Sequence, residues 1–305
     1  MRHIFVNKVY EHLKQNKDSY FLTADLGFNA FETLQKDFPD RFINTGVGEN
    51  NALGVASGMA MSGKKIFVYS IVPFLIFRNF EIIRNYISHN ALNIQLVGAG
   101  GGFSYGNQGI SHNTFEDFAI MRTLPNFNIF SPGTREEVNN CCDIIFNING
   151  PSYIRLGKVP ATNHKIIDKI GNIGQFYKKG IDALIISSGN LIDEIINSAN
   201  YLETKSINCS VFSLSTLKPL KEELITKILK EYNKVFIIEE NGIIGGLNSI
   251  ISEIIAKHKL ILEIKNISLE DKPHKLIGDQ NYLRKINKID SSSISEYIIN
   301  NIDNE

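Results

Sequence analysis

The chain alternates short apolar runs with helical patterns, and this alternation limits the possible folds more than any other feature. In the first half, apolar runs fall at 20–24, 66–69, 94–97, 127–130 and 153–154, with helical patterns at 50–62, 74–88, 114–123 and 134–147. Strands that alternate with helices form βα units in a mostly parallel sheet. Because such sheets bind ligands at the carboxyl ends of their strands, we expect Asp25, Glu49, Ser70 and the loop 98–112 to share one edge.

A second α/β series follows a change in the character of the sequence. Residues 157–178 are polar and have no clear period, which is typical of a linker. Strands are then predicted at 183–187, 209–212 and 235–238, with helices at 191–203, 220–231, 247–257 and 291–305, the last one fraying. We predict an α/β fold of two domains, each a mostly parallel sheet flanked by helices. The first domain covers 1–160, a linker 161–178, and the second domain 179–305.

Composition excludes several classes of protein. The 32 basic and 32 acidic side chains balance, so the chain lacks the basic surface of a nucleic-acid binder. No apolar run approaches the roughly 20 residues of a membrane-spanning helix, and the start of the chain lacks the apolar core of a signal peptide. We expect a cytoplasmic protein.

Metal and disulfide chemistry are not indicated. The three cysteines, Cys141, Cys142 and Cys209, include no CxxC pair, which favours buried reduced thiols over zinc ligands or a disulfide framework. The histidines show no ligand spacing, and we assign no metal site to this chain.

Glu49 is the first candidate for chemistry. It follows Gly46 and Gly48 and begins a predicted helix in which small residues recur up to Gly63. Burial penalises a charged carboxylate, so a buried Glu49 would favour a partner that shares its proton, such as a ring nitrogen of a cofactor. An acid at a helix N-terminus is also favoured by the helix dipole alone. The small residues fit a close subunit or domain interface as well as they fit a flat ligand.

Phe74, Phe77 and Phe80 follow Pro73 at a spacing of three. This spacing places them near one side of a helix, where they could form a stacking wall for a flat heteroaromatic ring. Packing in the core is the alternative for each of them.

A glycine-rich stretch at 98–112 follows a predicted strand and ends at His112. More than ten loop residues separate the strand from the next helix, which excludes a dinucleotide-binding turn. Long glycine-rich loops in compact domains are usually functional, and His112 could donate a hydrogen bond or carry a proton. A structural role is the alternative for a lone histidine. Arg155, at the end of a strand, could clamp a phosphate or carboxylate or pair with an internal acid.

Together these residues resemble the C-terminal half of a transketolase, namely its pyrimidine-binding domain followed by its C-terminal domain. The resemblance covers roughly residues 5 to 265. Its motifs are Thr-Ala-Asp-Leu at 23–26, Gly-Val-Gly-Glu-Asn-Asn-Ala-Leu-Gly at 46–54, Phe-Leu-Ile-Phe-Arg-Asn-Phe at 74–80, Gly-Ile-Ser-His-Asn-Thr-Phe-Glu-Asp at 109–117, Leu-Pro-Asn at 124–126, Ile-Glu-Glu-Asn at 238–241 and Gly-Gly-Leu at 245–247.

The resemblance implies thiamine diphosphate as the cofactor. It assigns Glu49, and with it Gly48, to the pyrimidine ring, where the carboxyl group hydrogen-bonds to N1′ and thereby promotes loss of the thiazolium C2 proton. It places Phe74 on the pyrimidine ring, with Phe77 and Phe80 completing the wall. Asp25 matches an acid near the thiazolium ring.

For the substrate, the resemblance implies that His112 contacts the ketose donor and that Arg155 contacts a substrate phosphate. Gln108 stands where transketolases carry an acid that recognises a substrate hydroxyl group. Gly98, Ala99 and Gly100 occupy the strand-end loop that holds a histidine in such enzymes, and Asn29 or a neighbour replaces a phosphate-binding serine. The donor is therefore expected to lack a phosphate or to present it differently.

Transketolases hold the diphosphate and Mg²⁺ with a Gly-Asp-Gly motif in an N-terminal domain, and this sequence contains no Gly-Asp-Gly. We expect a separate transketolase N-terminal subunit to supply that domain and the Mg²⁺ ligands, in an α2β2 assembly. The expected reaction moves a two-carbon ketol unit from a ketose, a small-molecule sugar, to an aldehyde. The alternatives are the β subunit of a 2-oxo-acid dehydrogenase E1 component and a non-catalytic scaffold subunit on the same fold.

Overall fold

The computed structural model describes residues 1–27, 29–158 and 162–302. Its first half forms a parallel sheet whose strand order, read across the sheet, is β5-β6-β4-β3-β1-β2. The strands are β1 (Ser19–Thr23), β2 (Phe42–Asn44), β3 (Lys65–Ile71), β4 (Ile94–Ala99), β5 (Asn128–Phe130) and β6 (Ser152–Leu156).

Helices cover both faces of this sheet. They are α1 (Arg2–Gln15), α2 (Glu32–Asp37), α3 (Glu49–Met61), α4 (Val72–Ile76), α5 (Phe80–Ile82), α6 (Asp117–Arg122) and α7 (Arg135–Asn147). Helices α1 and α7 bury apolar faces on one side of the sheet, while α3, α4 and α6 contribute to the core on the other side. The segment that begins with α4 is irregular, since a 3₁₀ turn over Phe77–Asn79 and a π-helical turn over Ile83–Ser88 interrupt it.

The second half forms a six-stranded sheet, in which four neighbouring strands are parallel and the two strands at one side are joined by antiparallel pairing. Its strand order is β13-β12-β9-β10-β8-β7. The strands of this half are β7 (Asp168–Ile170), β8 (Gly174–Lys178), β9 (Ala183–Ser187), β10 (Cys209–Leu214), β11 (Thr216–Lys218), β12 (Lys234–Gly242) and β13 (Glu263–Leu269). Its helices are α8 (Ile192–Glu203), α9 (Glu222–Leu229), α10 (Leu247–His258), α11 (Gln280–Ile286) and α12 (Ser291–Ile302).

The two halves share structure. Strand β11 leaves the second half and pairs antiparallel with β5, so it becomes the seventh strand of the first sheet. One cluster of buried apolar side chains runs without a break from Leu96 and Ile129 to Leu214 and Leu229. The packing at the junction is therefore that of a core rather than of two separate surfaces.

The predicted α/β architecture with two mostly parallel sheets is confirmed. The predicted linker over 161–178 is corrected, because β7 and β8 lie within it and form the antiparallel edge of the second sheet. Strand β7 is largely exposed and only three residues long, so it has no apolar alternation that the sequence could reveal. Residues 159–161, at the predicted boundary, lie outside the described residues, as do the last three residues of the predicted final helix.

In the described part of the chain, no helix has the length and apolar character needed to cross a bilayer. Cys141, Cys142 and Cys209 are free and buried.

Candidate active site

Parallel pairing brings the predicted side chains to one edge of the first sheet. Strands β1, β3 and β4 are neighbours in parallel register, so their carboxyl ends point the same way. Asp25 follows β1, Ser70 lies at the end of β3, and the glycine-rich loop follows β4. The alternation of the sequence predicts this edge correctly.

Glu49 is the first residue of α3, and its side chain is only 7% exposed. The Ser70 hydroxyl donates a hydrogen bond of 3.0 Å to Glu49 Oε1. The guanidinium of Arg78 lies 3.8 Å from Oε2, which is too long for a hydrogen bond. The carboxylate is therefore fixed through Oε1, while Oε2 can still accept a hydrogen bond.

The three phenylalanines do not form one wall, which corrects that prediction. Phe74, in α4, is half-buried, and its ring packs edge-on against the His112 ring with centroids 4.9 Å apart. Phe80 instead packs against the main core cluster, and Phe77 is 36% exposed. The irregular turn between α4 and α5 and the 100° step of a helix separate the directions of these side chains.

The backbone of the glycine-rich loop makes close contact with two buried side chains. A Cβ at Gly101 would meet Arg155 Cδ and Nε at 2.4 Å, and a Cβ at Gly102 would meet Glu240 Cγ at 2.5 Å. Gly102 also has a φ of +59°, which disfavours residues with a side chain. These glycines are needed because the loop passes so close to Arg155 and Glu240.

His112 lies at the far end of this loop. Its Nδ1 is 2.9 Å from the Ser111 hydroxyl, and its ring contacts Phe74 and, at a centroid distance of 6.2 Å, Tyr105. Partial burial lowers the pKa of His112 below its ordinary value. The imidazole is therefore neutral near pH 7, and in that form it can both donate and accept a hydrogen bond.

Arg155 is not placed to contact a substrate, which corrects the role that the resemblance implies. Its side chain is 5% exposed, and Nη1 donates to Asp117 Oδ1 and to Asn241 Oδ1, both at 3.0 Å. Its guanidinium also lies 3.7 Å from the centre of the Phe118 ring. Arg155 instead joins the first sheet to β12, since Asn241 belongs to that strand.

Three further predicted residues lie near this edge. Gln108 is exposed and ends a 3₁₀ turn in the loop. Asp25 is exposed, has a left-handed backbone (φ +54°), and exchanges two hydrogen bonds with Asn44. Gly48 caps α3 with an extended backbone, and a Cβ there would meet only Asn51 at 3.8 Å, an ordinary contact. Sterics do not require a glycine at position 48, whereas Gly46 has a φ of +74°.

A cationic cavity, which the sequence does not reveal, lies beside the glycine-rich loop. It has a volume of about 520 Å³ and lies at the ends of β4 and β6. Its charged side chains are Arg2, Arg135 and Lys158, and within the described ranges it is lined by no Asp or Glu. The Lys158 ammonium lies 4.9 Å from the ring centre of Tyr105, the same ring that approaches His112. Arg2 is the first residue of α1, and the other two cations lie far along the chain.

Among residues 1–27, 29–158 and 162–302, no three His, Cys, Asp or Glu side chains converge as metal ligands would.

Comparison with known proteins identifies two family domains. The transketolase pyrimidine-binding domain matches residues 1–161, and the transketolase C-terminal domain matches residues 174–280. The chain is 30% identical over 297 residues to a subunit of the apulose-4-phosphate transketolase of Actinobacillus succinogenes, covering 96% of each protein. It is 27% identical to the 6-deoxy-6-sulfo-D-fructose transketolase subunit SqwH of a Clostridium species, covering 85% of this chain and 81% of that protein.

A solved structure described as a split-gene transketolase, an inactive β4 tetramer, superimposes with a TM-score of 0.86. It is 28% identical in sequence, and the match covers 99% of this chain and 97% of that chain. The chain therefore belongs to the transketolase family and contains its pyrimidine-binding and C-terminal domains, the arrangement found in one of the two chains of a split transketolase.

Proposed function

We propose that this chain acts with a second polypeptide as a thiamine-diphosphate-dependent transketolase that moves a two-carbon ketol unit from a ketose to an aldehyde. The observation that carries the proposal is the grouping of a buried carboxylate, Glu49, a half-buried aromatic ring, Phe74, and a histidine packed against that ring, His112, at one sheet edge. Family membership supports the same cofactor and reaction class.

The residues present fit the aminopyrimidine half of thiamine diphosphate. Glu49 Oε2 can accept a hydrogen bond, since Ser70 occupies Oε1 and Arg78 stays beyond hydrogen-bonding distance. Phe74 offers an aromatic surface of the kind on which a flat heterocycle stacks. When bound, the cofactor supplies the carbon nucleophile and the electron sink that are needed to break a carbon–carbon bond next to a carbonyl group.

Each side chain of this protein then has a limited task. Glu49 holds a proton at a ring nitrogen, in a buried position where such a contact is stronger than in water. Phe74 fixes the plane of the ring. His112 hydrogen-bonds to an oxygen of the donor substrate and transfers protons there, a role suited to an imidazole that is neutral at physiological pH.

The cationic cavity suggests an anionic donor. Arg2, Arg135 and Lys158 line it without an opposing acid in the described part of the chain, and Tyr105 connects it to His112. Relatives named for apulose 4-phosphate and for a 6-sulfo sugar act on anionic sugars. We therefore propose a donor ketose that carries a phosphate or sulfonate group. This cavity takes the anion-binding role that was expected of Arg155.

The diphosphate and its Mg²⁺ are proposed to bind mainly to a partner chain that carries the Gly-Asp-Gly motif, giving an α2β2 assembly. The absence of that motif here and the similarity to relatives named as transketolase subunits support this arrangement. A related chain described as an inactive β4 tetramer agrees with a requirement for a partner. In this assembly we propose 1–160 as the pyrimidine-binding domain and 179–305 as the C-terminal domain, with β7 and β8 added to the latter.

Reconstitution tests the proposal. The chain would be purified alone and together with a transketolase N-terminal subunit from the same organism, and each sample measured by light scattering and by mass spectrometry of ketol transfer from phosphorylated and sulfonated ketoses. We expect activity only in the complex. Full activity of the single chain would overturn the two-chain model, and decarboxylation of 2-oxo acids without ketol transfer would favour an E1 β subunit.

A further inference from the structure

We propose that Glu240 and Arg284, both outside the pyrimidine-binding domain, are positioning residues that hold the glycine-rich loop and thereby set the place of His112. The catalytic part of this inference rests on the proposed function, whereas its structural part does not. Neither residue contacts His112 directly, so they act through the loop backbone.

Glu240 is the centre of the contact. It lies on β12, is 2% exposed, and accepts a hydrogen bond of 2.7 Å from the Phe103 backbone N–H. Its other oxygen accepts from Arg284 Nε at 2.7 Å and forms an ion pair with Nη2 at 2.5 Å. Gln280 Nε2 donates to the same carboxylate at 2.9 Å. A buried carboxylate so well satisfied fixes the backbone that donates to it.

Arg284 is connected to the loop at a second point, through a chain of hydrogen bonds. Its Nη2 donates to the Asn190 carbonyl at 3.2 Å, and Asn190 Nδ2 donates to the Ser104 hydroxyl at 3.2 Å. Ser104 in turn donates to the Gly101 carbonyl at 2.7 Å. The Arg284 side chain is 5% exposed, so these contacts form out of water.

Backbone hydrogen bonds connect Glu240 and Arg284, which we call the clamp, to His112. Gly102 and Thr114 exchange two backbone hydrogen bonds of 2.8 and 3.1 Å, which close the loop into a ring that includes His112. The Gly242 N–H, on the same strand as Glu240, donates to the Phe115 carbonyl at 3.0 Å. Strand β12 therefore holds the loop on both sides of His112. The Glu240 side chain binds the Phe103 backbone, and the Gly242 backbone binds the Phe115 backbone.

Part of the clamp lies beyond the matched family domain. The C-terminal domain match ends at residue 280, whereas Arg284 and Leu283 belong to α11 after that point. Leu283 packs closely on the loop, since a Cβ at Gly106 would meet Leu283 Cδ1 at 2.3 Å. The segment from 280 to 286 thus covers the loop in this chain.

The test uses the full chain, with the variants Glu240→Gln and Arg284→Lys. Glu253→Gln is the matched control, because Glu253 also pairs across the two halves, with Arg122 at 2.5 Å, but it lies away from the loop and is 63% exposed. Hydrogen exchange would be measured by mass spectrometry for peptides covering 100–116 and for peptides in β3 and β10. NMR titration would follow the imidazole of His112, assigned with a His112→Asn variant.

We expect exchange in 100–116 to rise at least about tenfold in both clamp variants and to stay unchanged in β3, in β10 and in the control. The His112 imidazole should titrate at higher pH, nearer to an ordinary histidine, because a released loop exposes it to water. A general loss of stability would not shift the titration of the native protein. In the two-chain complex, kcat should fall about tenfold while the cofactor Kd stays the same.

Unchanged loop exchange together with an unchanged His112 titration would overturn the clamp, whatever the activity. Absence of ketol transfer in every sample would instead count against the proposed function. Hydrogen exchange in the loop would then still test whether the clamp holds it. If a single charge variant loses its fold, the double variant Glu240→Gln/Arg284→Met replaces it, because it removes both buried charges together. The same two readouts then decide.

Discussion

The Ser70 hydroxyl donates a 3.0 Å hydrogen bond to the carboxylate of Glu49 and so ties the end of β3 to the first residue of α3. Ser70 is fully buried and Glu49 nearly so. The contact fixes the carboxylate at the point where three parallel strands end, and it leaves the second oxygen for a ligand. The orientation of Glu49 therefore depends on a residue 21 positions away in the sequence.

Replacing Ser70 should affect turnover more than stability. In Ser70→Ala the carboxylate loses its fixed donor, and a hydrogen bond to a charged group contributes about 1.5–3 kcal/mol. We expect kcat of the two-chain enzyme to fall about tenfold or more. Ser88→Ala is the control, because Ser88 is equally buried but donates to the Pro125 carbonyl away from the site. Equal effects of both variants on kcat would contradict this role of Ser70.

Phe77 and Phe80 should differ in their effect on stability. Phe80 packs against the core, and we expect Phe80→Ala to lower the free energy of unfolding by about 2–3 kcal/mol, below the range for a fully buried phenylalanine. Phe77 is exposed, so Phe77→Ala should change it by less than about 0.5 kcal/mol. Urea denaturation of the isolated chain measures both, and similar losses would mean that the two rings share one environment.

Lys158 should contribute to donor affinity. Lys158→Gln removes a cation from the cavity, and we expect the KM for a phosphorylated or sulfonated ketose to rise about tenfold with little change in kcat. The KM for a neutral ketose should not change. Raising the salt concentration should shrink the difference, because exposed charges are screened. Lys257→Gln, at an exposed ion pair with Glu222, serves as the control. An equal rise in KM for neutral and anionic donors would argue against anion binding in the cavity.

His12 should make stability depend on pH. Its ring stacks on Phe146 at 4.5 Å, and Nε2 lies 3.0 Å from the Ser19 hydroxyl. Burial, and then the charge of Lys65, lowers the pKa of His12 to about 4. Because the unfolded chain binds this proton at a pKa near 6.5, stability is lost as pH falls from about 6.5 to 4, by at most about 1.4 kcal/mol per pH unit.

Urea unfolding of the chain between pH 4 and 7 tests this slope. In His12→Gln the slope over that window should be smaller than in the original protein. Exposed His89, changed to Gln, should leave the slope as it was. A slope that is the same in all three proteins would show that His12 does not titrate on unfolding.

Much of the fold could be predicted because its elements are local and strongly patterned. The strands that flank the site are short apolar runs, and their parallel order places Glu49, Ser70 and the loop of His112 at one edge. The partners of Arg155 could not be predicted, because Asp117 and Asn241 lie 38 and 86 residues away. An arginine in a buried ion pair and an arginine that binds phosphate cannot be distinguished from the sequence around them.

Other features depend on tertiary structure in the same way. Strand β8 pairs with β10, and the exposed edge strand β7 pairs with β8, so strand pairing rather than apolar pattern determines their conformation. The cationic cavity gathers Arg2, Arg135 and Lys158 from three distant segments. Phe80 turns into the core because the helix is interrupted before it, an irregularity for which the sequence carries no signal that we recognise.

Replacement of Glu49 tests the central claim most directly. Glu49→Ala would be reconstituted with the partner chain, checked for assembly and cofactor binding, and assayed for ketol transfer. We expect turnover to fall by at least about two orders of magnitude, since the proton contact at the ring nitrogen is lost. Turnover equal to that of the original complex, with the cofactor bound, would contradict the account.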